Sequence, residues 1–267
     1  MCPGWASGIA TAPDPGDASG MDRGTAWVAA GWGLLGASSL VLGALLGLLV
    51  RWPPRVVALV LAFGSGTLIS TVAFDLVEES WATSGGWVTG GALAAGALAF
   101  CAGDVAVSRA GVPRRRRTRA DHSRATATVL VVGALLDGVP ESAAIGATVS
   151  QQGVSWAFLA AVFLSNIPES LSSAVGMRSG GRPRHRILLL WVVIVFASGL
   201  AAALGYLSVA VSPPPLVDAI RSFAAGAVLT MVSSTMLPEA HEQGGPVTAL
   251  LTTAGFLTAV ALGHLQP

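Results

Sequence analysis

The chain has 267 residues and a formal net charge of +1; 53% of its residues are hydrophobic and only 11% are charged. A soluble domain carries about a quarter charged residues, so composition argues against a soluble enzyme, and near-neutrality removes any global attraction for nucleic acid. The two cysteines, Cys2 and Cys101, have no CxxC spacing, which argues against a thiolate zinc site and against a disulfide framework.

Residues 1–26 are rich in Gly, Ala, Pro and Asp and lack a basic stretch ahead of an apolar core. They read as a disordered tail, not a cleaved signal peptide. Residues 27–267 read as one transmembrane domain. A span needs about 20 apolar residues, and the runs that qualify are 27–50, 56–75, 86–106, 125–149, 154–177, 187–211, 217–237 and 247–265. Lipid-exposed backbone must satisfy its own hydrogen bonds, so these runs are predicted to be helices. They do not alternate as barrel strands do. The predicted fold class is therefore all-α, a polytopic membrane protein with eight transmembrane helices.

The links between spans carry an orientation signal. Arg51 and Arg55 flank the first link. Arg109, Arg114, Arg115, Arg116, Arg117, Arg119 and Arg124 fill the third, an Arg-rich loop at about 107–124. Arg178, Arg182, Arg184 and Arg186 fill the fifth. Arg221 is the exception among the alternate links. The positive-inside rule then places the odd-numbered links in the cytoplasm and both termini outside a cell membrane. Trp27, Trp52, Trp81, Trp87 and Trp156 fall near predicted helix ends, where an amphipathic ring suits the interface.

The second and seventh spans repeat one another. Phe63-Gly64-Ser65-Gly66-Thr67-Leu68, followed by Asp75 to Ser80, aligns without a gap on Phe223-Ala224-Ala225-Gly226-Ala227-Val228, followed by Thr235 to Ala240. In the topology above the two helices run oppositely, as inverted repeats of secondary transporters do.

The fourth and fifth spans hold the chemistry. The fourth contains Asp137-Gly138-Val139-Pro140-Glu141-Ser142, and the fifth Ser165-Asn166-Ile167-Pro168-Glu169-Ser170. Asp137 and Glu141 lie four apart, Asn166 and Glu169 three apart, so each pair shares a helix face. A carboxylate near the bilayer centre costs at least about 2.5–3.5 kcal/mol. A bound cation relieves that cost and the mutual repulsion together. Pro140 and Pro168 free the carbonyls of Leu136 and Leu164, which become extra oxygen ligands. The alternative is that Glu141 and Glu169 are protonated and hydrogen-bonded between helices. At the span ends, Asp75, Glu78 and Glu79 would concentrate cations at an entrance, and Glu239, His241 and Glu242 would receive them on exit. Simple solvation of helix ends explains those residues equally well.

These motifs resemble the ZIP (Zrt-/Irt-like) family of metal transporters, which carries His-Asn-x-Pro-Glu-Gly on its fourth helix and a related Pro-containing acidic motif on its fifth. The resemblance covers the chain beyond the tail and implies a 3+2+3 helix arrangement. It implies transport of a divalent cation toward the cytoplasm, zinc by family default, with Mn²⁺ or Fe²⁺ as other candidates. It carries Glu141 and Glu169 over directly and Asp137 by position. Asn166 and Ser165 follow as weaker oxygen ligands; Asp75 and Glu239 are weaker candidates from their place at the span ends alone. Asp137 and Ser165 replace histidines, and Gly138 replaces an asparagine, which leaves a single all-oxygen site. No permanently bound cofactor and no enzymatic activity are expected; no HExxH or GxSxG signature accompanies the acids. The partners implied are the metal cation and the lipid bilayer, with a homodimer among the assemblies allowed. A non-transporting metal sensor or scaffold of the same fold is the alternative function.

Overall fold

The computed structural model describes residues 23–50, 52–109, 127–149 and 156–264, and their side chains except those of 23–24, 107–108, 127–137, 157 and 264. Among the described residues every regular element is helical. In chain order these are α1 (Arg23–Leu49), α2 (Pro54–Thr71), a π-helical segment (Val72–Glu78) and α3 (Glu79–Arg109). Then come α4 (Ala127–Val149), α5 (Trp156–Ser179), α6 (Arg184–Ala210) and α7 (Pro214–Met231). A second π-helical segment (Val232–Met236), α8 (Leu237–Gly244) and α9 (Val247–His264) follow. The Arg-rich loop and most of the tail lie outside the described residues; α1 begins about one turn ahead of the expected span.

Five stretches among the described residues are long and apolar enough to cross a membrane: Thr25–Leu49, Pro54–Ala106, Phe158–Ser179, Arg184–Ala210 and Pro214–Gly244. The second is 53 residues long, over twice the length one crossing needs. It folds back at Gly85, whose φ of 76° and ψ of 172° break the helix. Such a φ is cheap only for glycine. Among the described residues the fold is all-α, and these apolar lengths fit a membrane protein.

The repeated helices match in conformation as well as sequence. Pro54 and Pro214 both open their helix, where a missing N–H costs nothing. Both helices loosen into a π segment at matched positions, Val72 and Val232. Both stretches end on a left-handed glycine, Gly85 (φ 76°) and Gly245 (φ 71°). The seventh span was expected over 217–237, stopping just before Pro238, and there the structure differs. The helix continues to Gly244, with Pro238 in the first turn of α8. The preceding π segment already shifts the hydrogen-bond register, so the proline's missing donor no longer breaks a ladder.

Helices pack through small residues, as expected where lipid supplies no hydrophobic drive between spans. α2 packs on α9, and α3 on α7. A methyl at Gly66 would collide with the Thr252 carbonyl, one at Gly255 with that of Phe63; Gly226 and Gly96 meet the carbonyls of Leu93 and Phe223 in the same reciprocal way. α4 packs on α6 through Gly146 against Ala202 and Gly205 against Ala143. α1 packs on both α5 and α6. Gly43 and Gly47 meet the carbonyls of Ile167 and Leu171 in order, so α1 and α5 run in the same direction. Trp27, Trp81, Trp87 and Trp156 are exposed, as an interfacial belt requires, whereas Trp191 is buried among α1 and α5 side chains.

Candidate metal centre

α4 and α5 each continue through an internal proline, Pro140 and Pro168. Neither proline can donate to the preceding turn, so the Leu136 and Leu164 carbonyls keep a free acceptor direction. The next residue in each motif is the acid. Glu141 is only 2% exposed, and Ser142 3%. Glu169 is partly buried on α5. Asp137 belongs to α4, but its side chain lies outside the described part of the protein.

Helices from elsewhere in the chain close around the motifs. Asn166 is buried, and its Nδ2 donates to the Gly36 carbonyl of α1 at 3.4 Å. The amide oxygen is an acceptor that this bond does not use. Ser165 is buried too; its hydroxyl donates to the Val162 carbonyl at 3.0 Å. Gly64 of α2 sits directly against the Ser165 backbone, where a larger residue would collide. Gly138 faces α6: a Cβ there would stand 3.6 Å from Ser198 Oγ. Ser198 is buried and went unnoticed in the sequence, because an isolated serine in an apolar run has no motif around it.

The end-of-span acids separate into different settings. Asp75 and Glu78 line a cleft of about 320 Å³ with Ser70, Thr71 and Phe74, closed by the last turns of α9. Glu79 instead holds Arg221 at 2.7 Å, so its charge is neutralised locally and does not add to an entrance. Glu239 receives the Ser172 hydroxyl at 2.7 Å. Ser172 lies one turn beyond Glu169 on the same face of α5, which brings the end of the repeated helix alongside the acidic motif. His241 and Glu242 are exposed on α8. Among the described residues no three His, Cys, Asp or Glu side chains gather closely enough to hold an ion. What the arrangement offers is one deeply buried carboxylate, a second partly buried one, a buried amide, buried hydroxyls and two proline-freed carbonyls. All are hard oxygen donors suited to a divalent cation.

No protein-family model matches the chain. It is similar to an Arabidopsis thaliana protein named "Putative zinc transporter", with 26% identity over 215 residues. The similarity covers 79% of this chain and 34% of the relative. The chain thus spans about a third of that relative's length.

Proposed function

We propose that this protein carries a divalent metal cation across the cell membrane toward the cytoplasm, as a divergent ZIP-like transporter. The observation that carries the reading is Glu141, 2% exposed beside a proline inside a membrane-length helix. Burying a carboxylate there is expensive, and a cation passing through is the function that repays it. Glu141 and Glu169 are the principal ligands, with Asp137 and Asn166 beside them and Ser165 as a weaker donor. Asp75 and Glu239 serve the two ends of the path. The ion is substrate, and no resident cofactor is invoked.

The architecture that fits this reading is eight spans in a 3+2+3 arrangement. α1 to α3 and α6 to α9 form inverted halves around α4 and α5. The reciprocal packing of α2 on α9 and α3 on α7 supports it, as does the matched placement of both π segments and both corner glycines. The deciding experiment is zinc uptake into proteoliposomes, with a Glu141→Ala/Glu169→Ala control. Uptake by the parent and none by the control is the expected result. Binding without uptake would identify a sensor or scaffold instead.

Ion choice follows from the ligand set. With no imidazole in it, zinc loses the advantage that nitrogen ligands give a borderline-soft ion. Competition uptake should show weak discrimination of zinc against Mn²⁺ in the parent. Asp137→His should shift preference toward zinc. A parent that already rejects Mn²⁺, unchanged by the substitution, would show that ligand softness does not set selectivity.

Orientation is separately testable. Arg density in alternate links predicts that Ser19→Cys reacts with an impermeant thiol reagent added outside intact cells and that Ser123→Cys does not. The opposite pattern would invert the topology.

A further inference from the structure

The two halves of the repeat differ in their buried charges. Glu79 and Glu239 occupy equivalent positions, each a few residues before its corner glycine. Glu239 receives the Ser172 hydroxyl. Glu79 receives Nη1 of Arg221 at 2.7 Å, and Arg221 is only 1% exposed. Its Nη2 stands 3.5 Å from the Ala147 carbonyl on α4. One turn earlier on α7, Asp218 is 4% exposed and accepts the Thr83 hydroxyl at 2.6 Å and the Ser84 hydroxyl as well. The equivalent positions on α2 are Ala58 and Leu61, so these charges exist in one half only.

The cluster ties three separate elements together: the start of α3, the first turns of α7 and the last turns of α4. A guanidinium this deeply buried is tolerable only while its carboxylate stays in place. Ala147 lies six residues beyond Glu141, about 9 Å along the helix. The bonds therefore cover α4 on the approach to its buried acid.

We propose that the Arg221–Glu79 ion pair, with Asp218 held by Thr83 and Ser84, is a latch that keeps the Gly85 end of the bundle closed over α4. The Gly245 end, which lacks these charges, opens more readily. A carrier must open each end in turn, so the latch sets the resting state. The purpose of the latch rests on the transport reading; its closure is measured without any metal.

The test uses the full chain with Cys2→Ser and Cys101→Ser, reconstituted in vesicles with impermeant maleimide on both sides. Ala147→Cys reports the covered stretch of α4, where Ala147 is 1% exposed. Ala44→Cys, fully buried in α1, reports general loosening. Ala147→Cys should react slowly with the latch intact and at least about tenfold faster after Arg221→Gln, as loss of a charge-assisted hydrogen bond implies. Arg221→Lys, which keeps a cation and donor beside Glu79, should react more slowly than Arg221→Gln. Ala44→Cys should stay unreactive throughout. Unchanged labelling of Ala147→Cys after Arg221→Gln overturns the latch. So does equal acceleration at Ala44→Cys, which would make the pair a mere fold holder, and so does an Arg221→Lys rate as fast as that of Arg221→Gln. A protein that takes up no metal can still pass or fail this test.

Discussion

Glu141→Gln should abolish metal uptake, by about 100-fold or more, while leaving the protein as resistant to heat as the parent or more so. The two effects have one cause. Glutamine keeps the shape of the side chain at a site that is 2% exposed, so packing against the neighbouring helices is preserved. It removes a charge that the membrane interior disfavours, which raises the stability of the metal-free protein. It also removes the anionic oxygen that binds the cation. A residue kept for structure would show the opposite pattern, with lower stability and little effect on uptake. Uptake into proteoliposomes and thermal unfolding in detergent, measured on one preparation, distinguish the two. Glu169→Gln should lose uptake similarly but gain less stability, because its carboxyl is only partly buried.

The second large effect is expected at Gly146. This glycine touches the Ala202 carbonyl of α6, and any Cβ would overlap that oxygen. A backbone carbonyl cannot rotate away as a side chain can, so Gly146→Val must push α4 and α6 apart. Overpacking of this kind costs about 1–3 kcal/mol, with more where both partners are helix backbone. Gly205→Val, on the other side of the same contact, should behave alike, since its Cβ would strike the Ala143 carbonyl. Uptake should fall as well, because Glu141 rides on α4 little more than a turn away. Gly90→Val on α3 is the control: nothing lies within 4 Å of its Cβ position, so detergent melting should change little. Equal losses at Gly90 and Gly146 would mean that helix propensity, and not interhelical contact, dominates.

Much of the helical layout was legible in the chain because apolar length is a strong signal. The run at 187–211 became α6 almost unchanged. The Pro-Glu pairs were legible because an acid in an apolar run has few structural explanations. The π segments were not, since one extra residue in a helical turn leaves hydropathy untouched; Pro238 was misread for that reason. The pairing of Glu79 with Arg221 was also out of reach. The two are 142 residues apart, and local pattern says nothing about which helix ends meet. Ser198 was missed on the same ground: it gains meaning only beside Gly138, on a helix two spans later.

The reciprocal glycine contacts have a consequence for how the protein is made. α2 leaves the ribosome well before α9, yet the groove at Phe63 and Gly66 is filled by Thr252 and Gly255 of α9. Throughout synthesis that groove faces lipid or a chaperone. Helices are stable individually in a bilayer and associate afterwards, so the early ones can wait. A nascent chain stalled before α9 would therefore display an adhesive backbone groove, a natural handle for membrane quality control.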